Sequence, residues 1–443
     1  MSPWPDNLPY VRFVTVGRPC CGPDPINPSN RIPMKIIRFW GLALVAWLAL
    51  GPLAAQEQTP TLATVSGPLT ADTSVPAHPR LLWSKGEEKA LLKKIKADAY
   101  WSELHKQILQ EADRIVPMPV NERIQVGMRL LSVSRENLRR MLYLGYAWRM
   151  TGDKKYAERA EREMLKAATF KDWNPSHYLD VGEMMTALAI GYDWFYGYLS
   201  PVSRETIARA LQEKGLDTAD DSNWWLGAEH NWNQVCNTGV TYAALALNDL
   251  DPEGVRPYIN RAIATIRKPM HEYGPDGAYP EGIDYWDYGT TYNVLFLAAL
   301  EKAFGTDFGL SQTPGFMQTG LYSQVMITPA LSQFNYSDNG PRPLFNPTVF
   351  WFYAPTREPA LQYQQKRLFE RDTAHSYLDN RVLPTVMLWG AGSQAPLSAP
   401  AVPSDCFYMG RGGSPVAVMR SSWDDPGAVY LGFKVGQAGL NHA

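Results

Sequence analysis

Apolar residues recur every three or four positions along most of the chain between residues 78 and 390, which is the spacing of one side of an α-helix. Two stretches, 181–198 and 293–304, carry almost no charge, so we predict helices there that are buried on most sides. More highly charged helices alternate with them. The pattern predicts about nine to eleven helices joined in hairpins.

Such hairpins fit either an α-solenoid or an (α/α) toroid, in which an inner ring of helices is wrapped by an outer ring. The chain has no fixed internal period of the kind that solenoid or TPR-like repeats show. The alternation of buried and charged helices favours the toroid over residues 78–390.

The composition changes after Trp389. Residues 391–403 are rich in Gly, Ala, Ser and Pro, which is typical of a linker. Residues 414–420 and 428–435 are strand-like, with a turn-rich joint between them. We expect residues 404–443 to begin a β-domain that is truncated at Ala443. The predicted fold class is mainly α, an incomplete toroid followed by the start of an antiparallel β-domain.

The N-terminal region predicts export. A short basic segment from Met34 precedes an apolar run that ends in small residues, so residues 34–55 have the pattern of a signal peptide. An uncleaved anchor is the alternative. Residues 1–33 are interpreted as a mistaken upstream extension and residues 56–77 as a flexible lead-in. The mature protein is expected in the periplasm or outside the cell, without a stable membrane span.

Charge and cysteine content exclude several classes of partner. The 42 Lys and Arg balance 44 Asp and Glu, so nothing indicates nucleic acid or a membrane surface as a partner. In the predicted mature chain Cys236 and Cys406 have neither metal-ligand spacing nor a disulfide framework, and no metal is assigned. The 15 Trp and 23 Tyr suit either a helical core or the apolar faces of sugars.

The first candidate site is the stretch 229–239, where uncharged hydrogen-bonding side chains crowd around Trp232 just before an apolar helix. A helix start can aim such donors into a cavity, and its dipole favours an anion. The alternative is a helix cap in which the Asn residues bond only backbone. The polar residues are His230, Asn231, Asn233, Gln234 and Asn237. His177, which also precedes a buried helix, either lines the cleft or lies outside it.

The second candidate site is a Gly- and Pro-bounded loop that delivers Glu281, Tyr285 and Tyr288 to the start of another helix. This loop follows His230 by about one helical hairpin. In a toroid two such helix starts lie side by side on the same rim, so we expect the two sites to form one cleft.

The chain resembles the heparinase II/III-like polysaccharide lyases, a group that includes oligo-alginate lyases. The residues that carry the resemblance are 78–81, 230–237, 281–285 and 439–443, and it covers roughly residues 75–443. It implies a toroid followed by a β-sandwich of antiparallel sheets, and β-elimination on an acidic polysaccharide such as alginate or a glycosaminoglycan. His78 and Arg80 are expected to hold the entry segment rather than to contact substrate.

Elimination next to a uronate requires a neutralised carboxylate, removal of the adjacent proton and protonation of the leaving oxygen. His230 and Asn231 suit the first task, because they can stabilise the enolate-like intermediate. Tyr285 suits the proton transfers, and the family has a tyrosine at the matching position as general acid, sometimes also as base. Which donor meets the carboxylate stays open, and Tyr288 competes with Tyr285. The expected substrate contacts are Trp232, Asn233, Gln234, Glu281, Tyr288 and His177.

His442 resembles the beginning of a family motif that supplies a second catalytic His and often a metal ligand. The remainder of that motif lies beyond Ala443, so the activity of this chain alone is left open. A structural divalent metal such as zinc would belong to that missing part.

Two other functions compete with the lyase. A toroid glycosidase would use paired carboxylates among Glu281, Asp284 and Asp287, although acids are also expected at any helix start. A non-catalytic glycan-binding protein is the second. Only the lyase creates a double bond.

Overall fold

The structure is a computed structural model that describes residues 61–62, 65–343, 345–356, 358–391 and 402–436. The chain divides after Glu57, and every described residue belongs to the unit Gln58–Ala443. The predicted signal peptide and His442 lie outside the described residues. Within them, no helix combines the length and the apolar character that crossing a bilayer requires.

The described residues contain fourteen α-helices, more than the pattern predicted because several are short. The five-residue helices α9 and α14 and the seven-residue helix α11 are too short to show a period. The helices are α1 Glu88–Lys96, α2 Ala99–Ile115, α3 Leu131–Thr151, α4 Lys154–Ala168, α5 Leu179–Trp194, α6 Pro201–Glu213, α7 Asn231–Leu247, α8 Pro252–Thr265, α9 Arg267–His271, α10 Ile283–Phe304, α11 Thr319–Val325, α12 Thr348–Thr356, α13 Pro359–Arg371 and α14 Thr385–Trp389.

Four long helices form the inner layer of a ring, and the predicted fold class is confirmed. Helices α3, α5, α7 and α10 pack side by side in that order, and α4, α6 and α8 lie outside them. The ring continues from α10 through α12 and α14 to α1, which packs on α3. The prediction of buried helices is also right, since every residue of α5 is buried.

Neighbouring inner helices run in the same direction. Arg135 near the start of α3 pairs with Glu183 near the start of α5, whereas Gly145 further along α3 lies against Trp194 at the end of α5. His177, just before α5, contacts Trp232 at the start of α7, and Arg80 binds both Asp193 and Leu245 at the other ends of these helices. From α7 to α10 the contacts run from Gln234 with Asn293 to Tyr242 with Leu295. The inner helices therefore all begin at one end of the ring. We call this end, with the loops that precede the four helices, the N-terminal rim.

A three-stranded antiparallel sheet follows the helices. Its strands are β1 Phe407–Gly410, β2 Val416–Arg420 and β3 Tyr430–Lys434, in that spatial order. The latter two are the predicted strands. The Arg420 guanidinium fixes the sheet to the helical part by donating to the carbonyls of Ile327, at 3.2 Å, and Val325.

Candidate functional site

Two short loops with helical turns build one side of the N-terminal rim. The turn Pro175–His177 leads into α5, and the turn Trp224–Gly227 precedes α7. Because α5 and α7 are parallel neighbours, the side chains of these turns meet.

The turns bring four rings together. The Trp232 ring lies 4.9 Å from that of His177 and 4.8 Å from that of Trp224, and Trp224 in turn lies 6.1 Å from His230, measured between centroids. Trp224 is 59% exposed. A half-open cluster of this kind offers an apolar surface to a sugar ring. Sequence reasoning missed Trp224, because it lies in an irregular segment without a period.

His177 is held by a buried carboxylate. Its Nδ1 lies 2.9 Å from Oδ1 of Asp180 in the first turn of α5. The other oxygen of Asp180 accepts the backbone N–H of Leu130, at 2.6 Å, so the same carboxylate also anchors the loop before α3. This contact with Asp180 holds the His177 ring beside that of Trp232, and the position of His177 in the cleft stays a prediction.

Asn231 and His230 stand at the start of α7. Asn231 is the first residue of the helix and His230 is its N-cap, with an extended backbone. The side-chain amide of Asn231 has no hydrogen-bond partner among the described residues, although Asn231 is only 3% exposed. A donor in this position, backed by the positive end of a helix dipole, suits an anionic group.

Asn233 and Gln234 lie in the core rather than in the cleft. Nδ2 of Asn233 donates to the carbonyl oxygens of Leu226, at 3.1 Å, and Thr265, at 3.2 Å. Nε2 of Gln234 donates to the Tyr273 hydroxyl at 2.8 Å. Both side chains are fully buried. Their positions on α7 turn them toward neighbouring elements, so they support the site instead of contacting a ligand.

Tyr285 lies in the first turn of α10 and is half-buried. Burial raises the pKa of its phenol, and the carboxylates of Asp338 and Glu281 raise it further, while Arg129 acts in the opposite direction. The hydroxyl is therefore protonated at neutral pH. It is suited to donate a proton, and not to remove one unaided. Neither Arg129 nor Asp338 belongs to the two predicted sites.

Tyr285 and Asn231 stand at similar heights on adjacent helices. Gly289 of α10 faces Gln234 of α7 so closely that an added Cβ would lie 2.2 Å from the Gln234 Oε1. Counting back along each helix at 1.5 Å per residue, Tyr285 and Asn231 both lie roughly one turn closer to the rim. The predicted neighbourhood of the two helix starts is thus present.

Tyr288 occupies a different environment. Its ring lies between two guanidinium groups, with the Cζ of Arg135 4.7 Å and that of Arg381 5.4 Å from the centroid. Its hydroxyl is buried, and burial raises the phenol pKa well above the usual value. A buried hydroxyl cannot reach a glycosidic oxygen, so the structure favours Tyr285 over Tyr288.

The carboxylates of the rival hydrolase are engaged elsewhere. Asp284 accepts from Gln333 Nε2 at 3.1 Å and from the backbone N–H of Gly340 at 2.8 Å, which ties down the loop before α12. Asp287 is bonded to Asn346, and burial raises its pKa. Glu281 is 2% exposed and accepts from Tyr279 at 3.5 Å. In the described part of the chain, no three His, Cys, Asp or Glu residues are grouped as metal ligands.

In comparisons with known proteins, the chain is similar in fold to several solved structures. No protein-family model matches the chain, and no curated protein matches it. The chondroitin AC lyase of Streptomyces coelicolor A3 is 12% identical, with a TM-score of 0.47. The match covers 75% of this chain and 53% of that chain. The alginate lyase A1-III of Sphingomonas species A1 is 13% identical, with a TM-score of 0.41 and coverages of 69% and 99%. A heparinase III is 15% identical, with a TM-score of 0.38 and coverages of 76% and 53%.

The chain therefore spans about half the length of two of these three polysaccharide lyases. At these identities and scores the likeness concerns the fold and does not extend to the activity.

Proposed function

We propose that this protein is an exported polysaccharide lyase that cleaves a uronate-containing polysaccharide, alginate or a glycosaminoglycan-like polymer, by β-elimination. The proposal rests on the positions of three side chains. Asn231 and His230 stand at the start of α7, and the protonated phenol of Tyr285 stands at the start of the neighbouring helix α10. The signal-like pattern of residues 34–55 supports export.

The proposed reaction needs one acid, one base and one anion-stabilising group. The amide of Asn231 and the dipole of α7 hold the uronate carboxylate and stabilise the charge that grows on it. His230 takes the proton from the adjacent carbon, because imidazole is the side chain best suited to accept a proton near neutral pH. The electron pair forms the C=C bond, the bond to the glycosidic oxygen breaks, and Tyr285 gives that oxygen its proton.

Trp232 and Trp224 complete the proposed site as a platform for the sugar ring. The edge-to-face contact with His177 helps to hold the Trp232 ring in place. A hydrolase would require two carboxylates that face the substrate, whereas Asp284 and Asp287 are committed to loop and core bonds. The geometry thus supports elimination better than hydrolysis.

Tyr285→Phe tests the proposal, since it removes the hydroxyl and keeps the ring. We expect the rate of formation of unsaturated ends to fall by roughly two to four powers of ten, the range for loss of a general acid. The measurement is the ultraviolet absorbance of the new conjugated double bond. Tyr288→Phe is the matched control and should leave the rate close to normal, because the hydroxyl that it removes is buried.

The hydrolase would replace this proposal under a different pattern of results. In that case Tyr285→Phe would retain activity, Glu281→Gln would abolish it, and reducing ends would form without any new ultraviolet absorbance.

A further inference from the structure

A cavity opens at the N-terminal rim between α3, α10 and the loop before α14. Its volume is about 450 Å³, within the usual range of ligand pockets. Its wall includes Arg135 and Arg139 from α3, Asp287 and Thr291 from α10, and Arg381 from the loop. None of the predicted substrate contacts lines it.

At the floor of this cavity two guanidinium groups share one buried carboxylate. Nε of Arg135 lies 2.9 Å from one oxygen of Glu183, and Nε of Arg381 lies 3.1 Å from the other. The Glu183 side chain is fully buried, while those of Arg135 and Arg381 are 37% and 23% exposed. One carboxylate thus holds two guanidinium groups, both of which also face the cavity.

Three further acids line the cavity. Asp287 is hydrogen-bonded to Asn346 and Thr291. Burial raises its pKa and the charge of Arg381 acts against that rise, although among the described residues no ion pair joins Asp287 to either arginine. Glu136 is paired with Arg139 and Arg140. Asp379 is exposed at the mouth. Arg135 and Arg381 face the cavity and keep part of their surface exposed, so their guanidinium groups can bind an anion there.

We propose that the Arg135–Arg381 pair forms an additional subsite, which binds an acidic substituent of a sugar neighbouring the one that reacts. This inference rests on the proposed function, since it assigns an acidic glycan to the same rim. Both arginines pack on Tyr288, one helical turn from Tyr285, so the subsite adjoins the proposed reaction centre. The substituent is a carboxylate or a sulfate ester, because guanidinium groups recognise both through paired hydrogen bonds.

Arg135→Gln is the most informative variant. It leaves Arg381 and Glu183 as an ion pair, so the fold should persist. Arg381→Gln does the same from the other side. In a Tyr285→Phe background, which prevents turnover, we expect each variant to weaken binding of an oligouronate about 10- to 100-fold by calorimetry. Arg209→Gln, at an exposed position on α6, controls for the change in net charge and should have no effect.

The ligand's own charges identify the substituent. If a carboxylate fills the subsite, reducing the ligand's carboxylates to alcohols should abolish the difference between Arg135→Gln and its parent. If a sulfate ester does, a sulfated ligand with reduced carboxylates should retain that difference. Either result supports an anion subsite.

Two results would overturn parts of the argument separately. Oligouronate binding that is unchanged in both arginine variants, with melting temperatures like that of the parent, would eliminate the subsite and leave the proposed function intact. A parent protein that binds no acidic glycan would remove the proposed function itself. If one variant fails to fold, the other decides.

Discussion

Helices α5 and α7 touch through two glycines, and Gly239→Ala tests whether that contact sets their distance. A Cβ on Gly239 would lie 2.4 Å from the carbonyl oxygen of Gly182 and 2.7 Å from its Cα. Both atoms belong to backbone, so no side chain can rotate away. To restore an ordinary contact the helices would have to separate by about 1 Å, against the close packing of a protein interior.

The magnitude follows from two opposing effects. Overpacking of this kind costs up to about 3 kcal/mol, and replacing glycine by alanine inside a helix recovers about 1 kcal/mol. We therefore expect Gly239→Ala to lower the free energy of unfolding by about 2 kcal/mol. Urea denaturation should show a lower midpoint with an unchanged slope.

Gly182→Ala provides the matched control on the opposite helix. Its Cβ would meet the carbonyl oxygen of Val235 at 3.1 Å and the Cα of Cys236 at 3.2 Å, which requires a shift of only a few tenths of an ångström. The gain in helix propensity should nearly offset that strain. If Gly239→Ala is as stable as the parent, or less harmful than Gly182→Ala, the reasoning about backbone contact is refuted.

Two further predictions concern charge. Asp338→Asn should lower the Tyr285 pKa and move the alkaline limb of the kcat/KM profile down by about half a pH unit, whereas Arg129→Gln should move that limb up. If both variants shift the limb in the same direction, Tyr285 is not the group that titrates there. Glu183→Gln leaves two arginines without their counter-ion and should cost about 3–5 kcal/mol in denaturant titrations. Since the arginines lower the Glu183 pKa against the effect of burial, its contribution is present above the unfolded pKa and is lost as pH falls through the folded pKa. The difference between Glu183→Gln and the parent should therefore shrink in acid, and a constant difference would count against the ion cluster.

The sequence predicts which helices are buried better than it predicts where their side chains point or which distant segments meet. The charge-poor stretch 181–198 could be assigned to the interior because a helix that is apolar all round must be covered, and α5 is covered completely. The closure of the ring through α14 and α1 has no such signal, because it depends on contacts between distant segments. The amides of Asn231 and Asn233 look equivalent in sequence. They stand about 200° apart around α7, so the two amides point in nearly opposite directions, and that of Asn233 is bonded in the core.

The parallel inner helices give the two ends of the ring opposite electrostatic character, although the chain is nearly neutral. At the C-terminal ends, Arg80 donates to the carbonyl oxygen of Leu245, and its backbone N–H and the ring of His78 bind the carboxylate of Asp193. Residues 78–81, the first of the stretches that resemble the lyase family, thus have a structural role, at the end of the ring opposite to Tyr285. It satisfies carbonyls and a buried acid there. At the N-terminal rim the positive ends of four helix dipoles converge, and two guanidinium groups share one buried carboxylate at the floor of the cavity. The helix dipoles therefore favour an anionic group at the end of the ring where the proposed acid and base stand, and the nearly balanced overall charge of the chain gives no sign of this.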